Sequence, residues 1–204
     1  LWSAAGLAWV LGGSLLLHRG VAGWSDVPVG VRVPGGLLAL WLAWLAVAQA
    51  RFIGVNFLLS ILVLVWVADI FAYFAGRAFG GRFSRGKLAP SISPGKSWEG
   101  VWGGMAGVVV LAFAWVWADR WLGAGVASFY TRLSSHGIVV LLIAVLFMAA
   151  MSVVGDLVES LIKRSAGVKD SSGLLPGHGG VLDRVDALLP TLPLAMMLAT
   201  LGRP

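Results

Sequence analysis

Cysteine is absent from the 204 residues. That excludes disulfides and thiolate metal sites, and it leaves carboxylate, carbonyl or imidazole groups as the donors for any metal. Charge is scarce as well. Only 12% of residues are Asp, Glu, Lys or Arg, about half the share of an ordinary soluble domain. There is no clear internal repeat, low-complexity tract or stretch polar enough to form a soluble domain. No charged region precedes the first apolar run, so no signal peptide is recognisable, and Leu1 opens inside that run without a Met. The expectation is that further N-terminal residues, with further spans, precede it. What is abundant is apolar: 59% of the chain is hydrophobic, and the mean hydropathy is +0.91. This composition belongs in a bilayer.

Six apolar runs stand out, at about 1–17, 35–50, 52–76, 100–118, 137–155 and 185–201. In lipid each is expected to be helical, because a helix satisfies its own backbone hydrogen bonds. The predicted fold is therefore all-α, a polytopic membrane bundle of about six spans. It divides into an N-terminal hairpin region (1–50) and a catalytic region (51–204) with loops at 77–97 and 156–184. Arg51 is the only charge between the second and third runs, which predicts a tight hairpin. Trp41, Trp44, Trp115, Trp117 and Trp121 suit interfacial belts. Gly103 and Gly107 are spaced for close helix packing. The segments 18–34, 77–97 and 156–184 carry eleven Lys and Arg, against four on the other side at Arg51, Arg120, Arg132 and Arg203. The bias predicts that the first group is cytoplasmic. It also accounts for the net charge of +6 without a nucleic-acid partner.

Residues 156–186 are the unusual part. Five acids, four bases, one His and five Gly fall within 31 residues of a very apolar chain. Polar groups at that density beside a bilayer are costly unless they have a task, although a solvated loop is the plainer reading. The spacing favours a site. If the fifth run continues as helix through Arg164, then Asp156, Ser160 and Lys163 form one polar stripe with Glu159 at its edge. Asp183 and Asp186 fall at i and i+3 at the start of the last run. Acids from two helices can hold Mg²⁺, which keeps waters and takes substrate phosphates, and the neighbouring bases can neutralise those phosphates. Gly177, Gly179 and Gly180 around His178 permit close backbone approach just before a helix N-terminus, a natural place for an anion. The combination points to metal-assisted phosphoryl-type transfer.

The 27 positions from Ser160 to Asp186 run Ser160, Ile162, Lys163, Arg164, Lys169, Asp170, Ser172, Leu175, Pro176, His178, Gly179, Gly180, Val181, Asp183, Arg184, Val185, Asp186 at fixed spacing. This pattern resembles the signature of the phosphatidate cytidylyltransferase (CDP-diacylglycerol synthase) family, with no departure. Residues 68–80 and 87–100 are similar to that family as well, and residues before about 50 match only as apolar spans. The resemblance implies that phosphatidate attacks the α-phosphorus of CTP, releasing pyrophosphate and forming CDP-diacylglycerol, with Mg²⁺ required and a second cation such as K⁺ allowed. It implies metal ligands at Asp156 and Asp183, with Asp186 next in line. It implies catalytic roles for Asp156, Asp183, Lys169 and Arg184. Substrate contacts would come from Asp69, Lys96, Ser97, Ser160, Lys163, Arg164, Asp170, His178, Gly179 and Gly180. It further implies a bacterial inner-membrane protein among membrane lipids, its active site facing the cytoplasm, and a homodimer.

Asp69 is the only charge in the run 52–76, about two turns from Arg77, and an acid at that depth is a functional candidate. Pro94-Gly95-Lys96-Ser97 looks like the end of a P-loop, but Pro90 stands where the first Gly is required. A helix start fits better, with Ser93 as N-cap and Pro94 at the first helical position. Glu99 reads as a first-turn acid favoured by the helix dipole. Three rival readings are weaker. The D-x2-D-G-x2-A-R motif of CDP-alcohol phosphotransferases is absent. An ion-coupled transporter relaying through Asp69 and Asp156 would not need the dense basic and acidic Gly loop. A lipid-binding scaffold leaves the paired acids unexplained.

Overall fold

The computed structural model describes residues 1–84, 86–177 and 179–200. It is a helical bundle with one small hairpin. The first helical segment comprises α1 (Trp2–Ala8), a π-helical turn (Trp9–Gly13) and α2 (Ser14–Ser25). Then come α3 (Val29–Ile53), α4 (Val55–Phe79), β1 (Lys87–Ala89), β2 (Ser93–Ser97), α5 (Trp98–Trp121), α6 (Phe129–Ser134), α7 (Ile138–Ser165), α8 (Leu182–Val185) and α9 (Leu188–Ala199). Five segments are long and apolar enough to cross a membrane: Trp2–Ser25 and the four helices α3, α4, α5 and α7. The chain is an integral membrane protein of the polytopic helical kind expected.

Three details differ from expectation. The loop expected over 18–34 is helical except at Gly20, whose φ of 69° and ψ of −169° kink α2, and at the turn around residues 26–28; α2 and α3 both extend past their apolar runs. Among the described residues the run 185–201 forms only the last residue of α8, Val185, and the 12-residue α9. A 12-residue helix rises about 18 Å, short of the roughly 30 Å hydrocarbon core. Pro190, Leu192, Leu194 and Ala195 are nonetheless buried, because α9 lies inside the bundle against α1, α3 and α7. Residues 93–97 form a strand instead of a first helical turn. Ser97, not Ser93, caps α5, its hydroxyl accepting from the Gly100 N–H at 3.1 Å.

The core is built where small residues let helices meet. On α5, Gly103, Gly104 and Gly107 face Ala75, the Ala68 carbonyl and the Phe71 ring of α4. A Cβ at any of them would lie 2.1–2.8 Å from those atoms. Gly54, with φ 149°, turns α3 into α4 in a single residue, the tight hairpin expected beside Arg51. At that end Asp119 of α5 accepts from Asn56 Nδ2 (2.8 Å), Ser128 N–H (3.0 Å) and Thr131 Oγ1 (2.5 Å), so α4, α5 and α6 are tied by one buried carboxylate. At the other end Leu17, Val21 and Trp24 of α2 pack on Ile92, Leu157 and Leu161, which supports the hairpin against α7.

Candidate active site

Helix α7 runs unbroken through Ser165, as the polar stripe requires, and ends at Gly167, whose φ of 71° closes the helix with a bond from Val168 N–H to the Lys163 carbonyl. Its last three turns carry Asp156, Glu159, Ser160 and Lys163 at the end of the apolar bundle. Gly155, one residue before this stripe, is where α9 comes closest. A Cβ there would lie 2.7 Å from the Asp186 carbonyl and from Pro190, so glycine lets the chain around Asp186 rest against α7.

Between α4, the start of α5 and α7 lies a cavity of about 500 Å³, within the range of small-molecule sites. Asp69 and Arg77 of α4, Lys96 and Ser97 at the end of β2, and Asp156 of α7 supply its polar wall, and Gly104, Met105 and Val153 part of its apolar one. Lys96 Nζ forms an ion pair with Asp156 Oδ2. Ser160 Oγ is 3.3 Å from the other Asp156 oxygen. Arg77 donates to the Tyr73 hydroxyl at 3.1 Å on the same wall. The cavity thus joins residues from three distant parts of the sequence.

A second cluster adjoins it. Lys163 Nζ lies 2.5 Å from Glu159 Oε2 and 2.6 Å from Asp183 Oδ1, joining α7 to α8. The contact with Glu159 is an ion pair without good hydrogen-bond direction, whereas that with Asp183 is an aligned hydrogen bond. Asp183 Oδ2 also accepts from Ser171 N–H (3.0 Å), Ser171 Oγ (2.8 Å) and Gly180 N–H (2.6 Å). Burial opposes ionisation of Asp183, but Lys163 and the Gly180 and Ser171 donors outweigh it and hold the carboxyl well below the usual range. Gly179 (φ 78°) and Gly180 make this wrap possible: a Cβ on Gly180 would lie 2.0 Å from Ser171 Oγ. Asp186 behaves oppositely. Burial, with negative Asp156 and Glu159 nearby, pushes its carboxyl up to about 7 against the Ala187 N–H and Lys96.

Residues 7–201 match the model of the cytidylyltransferase family. The chain belongs to that family. It is 49% identical over 140 residues to the phosphatidate cytidylyltransferase of Haemophilus influenzae, an overlap covering 69% of this chain and 44% of that protein. It is 43% identical over 164 residues to that of Pseudomonas aeruginosa (79% and 55%) and 44% over 138 residues to that of Thermotoga maritima (67% and 46%). The chain spans about half the length of these curated relatives.

The residues singled out by the family resemblance fall into three groups. Asp69, Lys96, Ser97 and Asp156 line one cavity, with Ser160 bonded to Asp156. Lys163, Asp183 and Gly180 form the adjoining cluster, with Gly179 beside it: its carbonyl accepts from Leu175 N–H at 2.9 Å. Lys169, Asp170 and Arg184 lie on the exposed face of the same segment. Arg164 turns to the hairpin: its Nε donates to the Ile92 carbonyl and its Nη1 to that of Val168, both at 3.3 Å. His178 lies outside the described residues. Two acids do more than their spacing shows. Glu159 shares Lys163 with Asp183, where the stripe placed it only at an edge. Glu99 is buried, and its Oε1 accepts from Phe83 N–H (3.1 Å), Ser84 N–H (2.8 Å) and Ser84 Oγ (2.8 Å). The signal for Glu99 was its position as the lone acid of an otherwise apolar helix start.

Proposed function

We propose that this chain is the catalytic part of a phosphatidate cytidylyltransferase, joining CTP and phosphatidate to give CDP-diacylglycerol and pyrophosphate. The observation that carries the reading is the cavity uniting Asp69, Lys96, Ser97 and Asp156 at one end of three apolar helices, in a chain whose relatives bear that name. Such a cavity is open to a lipid along its apolar wall and to a phosphate at its polar one. A phosphate nucleophile is already ionised at neutral pH. The protein's work is then to align the two phosphates and to offset their repulsion. Lys96 and Arg77 supply positive charge inside the cavity. Lys163 holds Asp183, which in turn takes the Ser171 and Gly180 N–H groups and so ties the glycine-rich turn to α7.

Among the described residues, no three acids or histidines are grouped to hold a metal. Mg²⁺ does not need such a group, since one or two carboxylates with waters and substrate phosphates suffice. Asp69 and Asp156 fit that role, both facing the cavity. Asp186 lies close enough to Asp156 to feel its charge. Asp183 serves as a ligand only if Ser171 or Gly180 gives up one of its oxygens. Bound Mg²⁺ would neutralise phosphate charge. The proposal places the cavity at the cytoplasmic face of a bacterial inner membrane, as the Lys and Arg bias supports. It includes the homodimer and the second cation, K⁺, that the family resemblance implies, read out by light scattering in detergent and by the K⁺ dependence of turnover.

The test follows radiolabelled CTP into lipid in detergent, with phosphatidate and Mg²⁺, for the full-length protein and its Asp156→Asn variant. Label in lipid that needs both substrates and is lost in the variant is the expected result. A folded full-length protein that transfers no label overturns the proposal.

A further inference from the structure

A second cavity, of about 690 Å³, lies beside the first and shares Gly76, Gly95, Lys96 and Ser97 with it. Residues 80–84, 86 and 87 and the hairpin strand β2 enclose it. Its chemistry differs from that of its neighbour. Asp69 and Asp156 line the first cavity, whereas the described lining of the second contains Arg82, Lys87 and Lys96 and no acid. Lys96 is neutralised by Asp156. The side chains of Arg82 and Lys87 have no ion-pair or hydrogen-bond partner among the described residues. Gly81, Gly86 and Gly95 face open space, with nothing within 4 Å of where a Cβ would stand. Bare backbone at such positions lets N–H groups approach a ligand closely.

The turn is held in place from within the protein. Glu99 is only 4% exposed, and its Oε1 takes the Phe83 and Ser84 N–H groups and the Ser84 hydroxyl. Three donors on one buried carboxylate oxygen fix the backbone just after Arg82 relative to Ser97 and the start of α5. Gly81, with φ 77°, lets the chain reverse after α4 to reach it. The result is a cationic pocket, with no acid in its described lining, next to an acid-lined one, with Lys96 in the wall between them.

We propose that this second cavity seats the β,γ-diphosphate of the nucleotide and the inorganic diphosphate that leaves. Arg82 and Lys87 are its binding cations, and Glu99 is the positioning residue that presents them. The inference rests on the cytidylyl-transfer reading above and adds where the leaving group sits. As the lipid phosphate oxygen bonds to the α-phosphorus, the bond from that phosphorus to the bridging oxygen breaks. Its electron pair stays on the departing diphosphate, which gains one negative charge. Arg82 and Lys87, which no acid among the described residues neutralises, face that charge as it forms. The acids of the first cavity would repel it, so the separation of charge between the cavities directs the nucleotide one way round.

The test is direct binding of inorganic diphosphate to the full-length protein in detergent with Mg²⁺, by titration calorimetry. Arg82→Gln and Lys87→Gln should each weaken binding about tenfold, the usual weight of one charge-assisted hydrogen bond. Glu99→Ala should weaken it likewise, and Glu99→Gln, which keeps the accepting oxygen, should restore most of it. Phosphatidate binding should stay unchanged in the Arg82 and Lys87 variants, which shows that they are folded. Native-like diphosphate affinity in both of those variants overturns the site, as does an absence of diphosphate binding by the unaltered protein. Cytidylyl transfer that proceeds while the variants bind diphosphate normally would leave the reaction standing and remove this site. Binding that depends on Arg82 and Lys87 in a protein that transfers no cytidylyl group would support the site and remove the reaction.

Discussion

Lys163 is a single cation shared by two carboxylates. Its ammonium lies 2.5 Å from Glu159 and 2.6 Å from Asp183, and the side chains of the three are 15%, 5% and 9% exposed. Lys163→Met keeps the length and apolar stem but leaves two neighbouring carboxylates without their cation. Breaking a buried ion pair by deleting one partner costs about 3–5 kcal/mol. Lys163 is partly open to solvent, so about 3 kcal/mol is the appropriate figure. For a chain of this size that corresponds to roughly 6–12 °C in the unfolding midpoint by soluble-protein scaling. Intrinsic-fluorescence melting in detergent is the assay. The double variant Lys163→Met/Glu159→Gln should recover about half of the loss, because only one uncompensated acid then remains. Activity should fall further than stability in both, since Asp183 loses the contact that joins α8 and the 171–180 segment to α7. A Lys163→Met protein that melts within 1–2 °C of the unaltered one, about the resolution of such a scan by the same scaling, would refute the claim that this lysine neutralises both acids.

Other substitutions probe the framework. Gly104→Val should lower stability by about 1–3 kcal/mol or more, because even a Cβ lies 2.8 Å from the Ala68 carbonyl; thermal melting in detergent reads it. Gly155→Ala should cut turnover more than stability, because its Cβ would press on the Asp186 carbonyl from 2.7 Å and push that residue away from Asp156; kcat and the melting midpoint measured on one preparation separate the two effects. Asp119→Ala should do the reverse. It strands the Ser128 N–H and the Thr131 hydroxyl and leaves Asn56 Nδ2 with only the Val126 carbonyl at a cost of about 1–3 kcal/mol. Asp119 is also 22 residues along α5 from Ser97, about 33 Å at helical rise. Turnover at a temperature where the variant is folded should therefore match the unaltered enzyme.

The extent to which the sequence predicts the fold differs along the chain. Bilayer solvation forces helices on long apolar runs, so α3, α4, α5 and α7 were legible, and so was the continuation of α7 past Asp156, since its polar stripe makes sense only on a helix. The inner helix α9 was not. Hydropathy cannot distinguish a span that meets lipid from one that is short and packed by protein, and the burial of Leu192, Leu194 and Ala195 on all sides leaves no polar face to betray it. The hairpin was missed for a related reason. Ser93 and Pro94 suit a helix start as well as a strand, and what decides between them is remote: Ile92 seated on Leu157 and Leu161, and the Arg164 side chain on the Ile92 carbonyl. The site was legible as a list of residues but not as a grouping. Spacing brought Asp156 and Lys163 onto one stripe, yet the fold gives each a different partner, Lys96 for the first and Glu159 with Asp183 for the second.

That partition bears on how a triphosphate would be received. Lys96 and Lys163, the cations closest to the acids, are already neutralised by them, so a phosphate arriving at either must displace a carboxylate and gains little from the charge alone. The displaced carboxylate is what a divalent ion would then meet, which couples arrival of the phosphate to arrival of the metal without a preformed three-acid site. A cation with no internal partner acts differently, because its full charge is present before the ligand comes and needs no exchange. Among the described residues Arg82 and Lys87 are of this kind, and they line the second cavity and not the first, with Lys96 shared by both. A nucleotide entering this surface should therefore be drawn first by its terminal phosphates into the basic cavity, and only afterwards exchange Lys96 from Asp156 to its α-phosphate. The order has a kinetic signature. Neutralising Arg82 or Lys87 should slow nucleotide capture and raise the KM for CTP about tenfold, with a smaller loss of kcat because both also face the charge that forms on the leaving diphosphate, whereas Lys96→Gln should lower kcat about a hundredfold, the usual weight of one charge-stabilising group. Steady-state kinetics over a range of CTP concentrations separates the two, and a kcat loss from Arg82→Gln as large as that from Lys96→Gln would break the proposed sequence of events.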